Sequence, residues 1–280
     1  MRKLLFIYIV LCLTTACGDA NTQTLHVSSI KIQEDANTVC TRFPPPIGTY
    51  QKEYGTNSFS HYLRHFKLLP SGQKVKLYDG SLKSNQFAHA AVLDMDVGNR
   101  DLQQCADAIM RLRAEYLYKN KQFDKIHFNF TNGFKADYNT WKNGHSIKVV
   151  GNKVNWVSTN RAHSGYESFR KYLNMVFGYA GTQSLSQELK PKKLKEIVIG
   201  DVFIFGGFPG HAVIVMDIAY DKNGVDKYFL LAQSYMPAQQ IHILKNPNNK
   251  KISPWYSTKE IRNQLITPEW TFNISDLKSF

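Results

Sequence analysis

The chain has 280 residues, of which 43% are hydrophobic and 13% aromatic. That composition excludes a disordered polyelectrolyte and is ample for a large core. The formal net charge is +13, but the basic residues are spread out, apart from Lys190, Lys192, Lys193 and Lys195. That cluster reads as a solvated loop, with a weak preference for anionic surfaces as the second reading. No nucleic-acid-binding module is recognisable, so nucleic acid is not an expected partner.

The first segment, MRKLLFIYIVLCLTTAC, sets Arg2 and Lys3 before an apolar run from Leu4 to Leu13 and small residues up to Cys17. This is the layout of a secretory signal, and the run is too short to span a bilayer as a stable helix. Small residues stopping at a cysteine resemble the lipobox of bacterial lipoproteins, although Thr14 stands where that pattern prefers an aliphatic residue. The resemblance implies removal of residues 1–16 and acylation of Cys17. A lipid bilayer then becomes a partner through that anchor. The expected localisation is the cell envelope, on the outer membrane, facing the periplasm or the surface. An ordinary cleaved signal with an incidental cysteine is the alternative. Residues 17–38 read as a polar tether and 39–280 as a single domain. With Cys12 lost and Cys17 used as anchor, Cys40 and Cys105 remain, and outside the cytoplasm the two could form a disulfide.

Within the domain, Pro44, Pro45 and Pro46 exclude helix. Residues 58–66 (SFSHYLRHF) predict a short helix, 73–78 a strand ended by Asp79-Gly80, and 89–96 (HAAVLDMD) a buried strand. After a turn at Gly98, Asn99 and Arg100, Asp101 is expected to cap a helix from Leu102 to about Tyr118, with Gln104 completing a capping box. Its apolar stripe is Leu102, Cys105, Ile109, Leu112 and Tyr116. Residues 127–156 mix short strands with Gly and Asn turns. A second helix opens at Ser164, with Glu167 as capping-box partner, and breaks at Gly181. The stretch 197–244 reads as consecutive antiparallel strands, two of them joined by Asp221-Lys222-Asn223-Gly224. The tail, with Pro254-Trp255, Pro268-Glu269-Trp270 and Phe272, is expected to pack over the domain as irregular structure. Helices followed by a strand-rich half predict an α+β fold.

The most specific passage is Gly200-Asp201-Val202-Phe203-Ile204-Phe205, a glycine-rich bend, and then Gly210-His211-Ala212-Val213-Ile214-Val215. It resembles the Gly-Asp strand, loop and His-strand of NlpC-type cell-wall peptidases and related amidases, which are papain-like. The resemblance implies a papain-like, NlpC-like fold and cysteine peptidase or amidase activity. It assigns Cys105 as nucleophile near a helix start, His211 as base and Gln233, on the strand after the hairpin, as the group that orients it. The chemistry has reasons for these types. A helix N-terminus and a nearby imidazole lower a thiol's pKa, and an amide or carboxylate holds the imidazole in one tautomer. Backbone N–H groups, with Asn99 or Gln104 as side-chain candidates, would serve an oxyanion. No metal or organic cofactor is required. NlpC-type enzymes usually carry Asp-Cys-Ser-Gly, whereas this chain has Gln104-Cys105-Ala106-Asp107. Cys105 also lies on the apolar stripe, so a small core residue is an equal reading of it.

The chain from about Arg42 to Phe280 also resembles an uncharacterised family of Bacteroidota lipoproteins carrying a domain of unknown function. The stretches that carry this are Leu93 to Ala108, RLRAEYLY at 111–118, HFNFTNGF at 127–134 and LLAQSYMPAQ at 230–239. That resemblance implies no activity. Other constellations are weaker. Asp94, Asp96 and Asp101 loosely resemble a calcium loop, but Met95 and Val97 interrupt it and no glutamate completes it. His61 and His65 sit four apart without a third ligand, and His127 and His145 have no metal spacing. Three functions therefore stand: an amide hydrolase acting on cell-wall peptides, a non-catalytic envelope lipoprotein binding a peptide or glycan in the same cleft, and a structural component with a Cys40–Cys105 disulfide.

Overall fold

The computed structural model describes residues 30–159 and 161–280. The expected signal, Cys17 and the tether up to residue 29 lie outside the described residues. The end of the tether is packed on the domain: Ile30 and Ile32 lie against the core, and the Gln33 N–H donates to the Arg42 carbonyl at 2.9 Å.

The helices are α1 (Val39–Arg42), α2 (Phe59–Arg64), α3 (Cys105–Lys119), α4 (Tyr138–Lys142), α5 (Gly165–Tyr179) and α6 (Thr182–Glu188). The strands are β1 (Thr49–Tyr50), β2 (His89–Val92), β3 (His127–Asn129), β4 (Lys135–Asp137), β5 (His145–Val150), β6 (Lys153–Ser158), β7 (Lys190–Pro191), β8 (Val202–Phe205), β9 (His211–Asp221), β10 (Lys227–Gln233), β11 (His242–Leu244), β12 (Tyr256–Ser257), β13 (Gln264–Ile266), β14 (Thr271–Asn273) and β15 (Leu277–Ser279). A nine-stranded sheet runs β2-β11-β10-β9-β8-β15-β7, with β1 also paired to β9 and β12 to β10. Its pairings are antiparallel. With helices packed on this sheet the fold is α+β. The pairs β3–β4, β5–β6 and β13–β14 are separate hairpins.

Strand β9 is the centre of the architecture. It reads HAVIVMDIAYD and is buried from His211 to Tyr220. A nearly continuous apolar run suits a strand covered on both faces, and α2 and α3 both pack on it. Asp217 is the one carboxylate in that run. Its Oδ1 accepts from Arg64 Nε at 2.7 Å and its Oδ2 from Gln51 Nε2 at 2.7 Å. Burial still pushes its carboxyl up to about 6, against the pull of Arg64. This buried pair fixes α2 to the strand that begins at His211.

Several expectations change. Residues 73–78 form no strand, only isolated bridges from Lys76 to Leu82 and from Leu77 to Gln239. The strand expected over 89–96 stops at Val92. Helix α3 begins at Cys105, not Leu102: Gln104 is the N-cap, and Asp107 accepts its N–H at 3.0 Å. The capping roles fall three residues later than the sequence suggests, because Asp101 is drawn elsewhere. Its Oδ1 accepts from Ala238 N–H at 2.7 Å and from Gln104 Nε2 at 3.0 Å. Ser164 occupies the N-cap position of α5, but its side chain makes no capping hydrogen bond, and Glu167 pairs with Lys171 and completes no capping box. The tail is more regular than expected, since β15 joins the central sheet beside β8.

Candidate active site

The start of α3, the start of β9 and the end of β10 meet at one place. CADAIMRLRAEYLYK is rich in good helix formers, and it opens where Gln104 leaves the extended region. Cys105 is therefore the first helical residue, at the positive end of the helix. Behind it, the Ser234 hydroxyl lies 2.9 Å from the carbonyl oxygens of both Gln103 and Gln239. This ties the chain leading into α3 to the end of β10.

The glycine-rich bend before His211 is required by close packing on α6. A Cβ on Gly210 would stand 2.2 Å from Thr182 Oγ1 and 2.5 Å from the Gly207 carbonyl oxygen, and one on Gly206 would stand 2.8 Å from Ser186 Cβ. The bend delivers His211 to its place opposite Phe205 of β8.

Gln233 reaches His211 because of a β-bulge. Leu230 pairs with Asp217, but Leu231 pairs with Val215 and Ala232 with Ile214, so Met216 is the extra residue. Side chains alternate along a strand. The bulge puts Gln233 opposite Val213, on the face His211 shares; unbroken pairing would have placed it on the other face. The resulting bond runs from His211 Nε2 to Gln233 Oε1 at 2.8 Å. Gln233 Nε2 donates to Glu269 Oε2 at 2.7 Å and lies 3.4 Å from His242 Nε2. Aromatic rings enclose the imidazole, with Tyr235 at 4.8 Å, Trp270 at 5.4 Å and Phe272 at 5.8 Å between ring centroids.

Cys105 lies against this group. The backbone N–H groups of Ala106, of Ala212 and of Cys105 itself act on the sulfur, and Tyr235 is near enough to feel its charge. Ala212 directly follows His211, and α3 packs on β9; no hydrogen bond joins the Cys105 thiol to the imidazole, and His211 and Gln233 are buried and do not line the cleft at Cys105. Burial, aided by the Asp107 carboxyl, pushes the thiol up to about 11, against the pull of those N–H groups. Burial pushes His211 down to about 4, aided by Lys83 and opposed by Gln233. At neutral pH both partners rest uncharged. Asp107 is buried too, its carboxyl held well above the usual range, and its Oδ1 has no hydrogen-bond partner.

A cleft of about 540 Å³ opens over the cysteine. Cys105, Ala106 and Asp107 line it from α3, Gly178 to Gln183 from the α5–α6 junction, Gly207 to Gly210 from the bend, and Met236 from beyond β10. Gln104 lines it as well. Asn99 does not: it is exposed in its turn and forms no part of the cleft wall. Cys40 and Cys105 are both free, so the Cys40–Cys105 disulfide is not formed. The Cys40 sulfur instead lies 3.6 Å from Thr38 Oγ1 in α1. Among the described residues no cluster of three or more His, Cys, Asp or Glu side chains could hold a metal ion. Asp96 is taken by Arg111 and Arg170, and the His61 and His65 rings stack at 4.0 Å. No helix among them is long and apolar enough to cross a membrane. Sequence reasoning missed Glu269, Tyr235 and Trp270, which come from loops whose contacts no periodicity announces.

Fold and site together define an α+β protein with a helix-initiating cysteine in the wall of an open cleft and a buried, amide-held histidine at the start of the strand on which that helix packs. The chain belongs to the family described as Domain of unknown function (4846), whose model matches residues 39–279. No curated protein and no solved structure matches it.

Proposed function

We propose that this chain is an exported lipoprotein, anchored in the outer membrane through acylated Cys17, whose domain is a papain-like amide hydrolase acting on cell-wall peptides. The observations that support this reading are Cys105 opening α3 in the wall of the cleft, the packing of α3 on the strand that His211 opens, and the grip of Gln233 on the His211 ring.

The chemistry follows from the geometry. A charge on either partner alone is disfavoured by burial, but thiolate beside imidazolium compensates itself. Proton transfer therefore accompanies attack. His211 Nδ1 takes the thiol proton as the Cys105 sulfur bonds to the substrate's carbonyl carbon. The oxyanion faces N–H groups of the first turn of α3, which lack intrahelical partners. The imidazolium then gives its proton to the leaving amine, and a thioester remains. Water, deprotonated by His211, attacks the thioester; the acid leaves and the thiol regains its proton. Aromatic rings around His211 keep bulk water from competing for Nδ1.

The test is incubation of the protein with solubilised cell-wall peptides and detection of the newly freed amine by mass spectrometry. Cleavage that disappears in Cys105→Ala supports the reading. Absence of cleavage, or cleavage that survives Cys105→Ala, overturns it. A second reading draws on the uncharged resting thiol: the same cleft binds a peptide or glycan without chemistry. Saturable binding of uncleaved fragments, unchanged in Cys105→Ala, would favour it.

A further inference from the structure

We infer that Glu269 is a positioning residue for the histidine: through Gln233 it fixes which nitrogen of His211 carries the proton. This rests on the proposed role of His211 as base, and it concerns a residue outside the Cys105–His211–Gln233 set. An amide beside an imidazole is ambiguous by itself. Gln233 could present its oxygen to a protonated Nε2 or its NH2 to a bare one. The second arrangement would put the proton on Nδ1 and leave no lone pair for the thiol.

The partners behind Gln233 remove the ambiguity. Glu269 Oε2, 2.7 Å from Gln233 Nε2, is a carboxylate oxygen and accepts only. Its other oxygen, Oε1, pairs with Lys83 Nζ at 2.8 Å in a largely buried ion pair. Asn85 Nδ2 donates to that same Oε1 at 3.2 Å. Behind the other side of the amide stands His242. Its Nδ1 lies 2.9 Å from the Gln240 carbonyl, which also only accepts, so Nδ1 is protonated and Nε2 is bare toward Gln233. Both neighbours call for the NH2 of Gln233. Its oxygen must then face His211, His211 must donate from Nε2, and Nδ1 stays free. The order of control is Lys83 and Asn85 on Glu269, Glu269 and His242 on Gln233, and Gln233 on His211.

Glu269→Gln makes this testable. Lys83 and Asn85 hold the new amide's oxygen, so its NH2 turns toward the NH2 of Gln233. The clash drives the Gln233 amide over and moves the His211 proton to Nδ1. The experiment is ¹⁵N imidazole NMR on the full chain labelled at histidine, with His211 assigned from the spectrum of His211→Asn. The wild type is expected to show the Nε2–H form, Glu269→Gln a shift toward Nδ1–H, and the exchange variant Gln233→Glu/Glu269→Gln a return to Nε2–H, because a carboxylate at 233 accepts from the ring. Alkylation of Cys105 near neutral pH is expected to fall at least about tenfold in Glu269→Gln and to recover in the exchange. Should Glu269→Gln fail to fold with its lysine unpaired, Lys83→Met/Glu269→Gln keeps Asn85 on the amide oxygen and makes the same prediction. An Nε2–H form that persists in all these variants overturns the inference. A proton that moves while Cys105 reactivity does not would leave the positioning role standing and sink the nucleophile reading.

Discussion

His211 makes the fold sensitive to acid in a way that one substitution isolates. Its folded value lies near 4, against an ordinary 6.5. A depressed histidine contributes stability that is present above the ordinary value and is lost as pH falls toward the folded one. Between about pH 7.5 and 4.5 the unfolded imidazole takes up its proton while the folded one largely refuses it. At about 1.4 kcal/mol per unit of pKa difference, that removes about 2.5 kcal/mol over the window. His211→Asn abolishes this loss. The variant should be less stable than wild type at pH 7.5, through lost packing among Tyr235, Trp270 and Phe272, and the gap should close by about 2.5 kcal/mol at pH 4.5. Asp217, raised to about 6, titrates in the same window with the opposite sign, and His242, pushed down to about 3, with the same sign. Both are present in the two proteins and cancel in the difference. Urea unfolding followed by tryptophan fluorescence at the two pH values measures it. A difference between wild type and variant that stays constant with pH would refute a buried, uncharged His211.

Two further predictions concern the scaffold. Arg64→Met strands the Asp217 carboxylate beneath β9 and should cost about 3–5 kcal/mol at pH 7. Without the pull of Arg64 the Asp217 carboxyl rises above 6, so the cost should shrink as pH falls toward 6, where the variant takes up its proton first, and level off below it; denaturant unfolding across that range checks it. Gly210→Ala puts a Cβ 2.2 Å from Thr182 Oγ1 and 2.5 Å from a backbone carbonyl. It should displace His211 and lower Cys105 alkylation while Gly224→Ala, on the far hairpin, leaves it unchanged; peptide mass mapping reads both.

The legible parts of this chain were those with local causes. The hairpin of β9 and β10 showed through its apolar runs and the Asn223-Gly224 turn, and Gly224 does adopt a φ of +71°. The order of Cys105, His211 and Gln233 was visible too, and the structure brings their elements together. The face on which Gln233 falls was not, because it depends on a bulge at Leu230 and Leu231 that no residue type marks. The start of α3 was misplaced because Asp101 with Gln104, and Gln104 with Asp107, both fit a capping pattern. Only the long-range bond from Ala238 to Asp101 decides between them. Glu269 was hidden for the same reason: it meets Gln233 across 36 residues, in a tail whose composition signals only packing. Asn99 looked suitable for an oxyanion by proximity in sequence, yet its turn points into solvent.

The central claim is that His211 activates Cys105, and thiol alkylation tests it most directly. In a full chain carrying Cys40→Ser, iodoacetamide labelling of Cys105 near neutral pH, located by peptide mapping, should be at least about tenfold faster with His211 than in His211→Ala. Equal, slow labelling in the two proteins would contradict the account and leave Cys105 a buried core thiol.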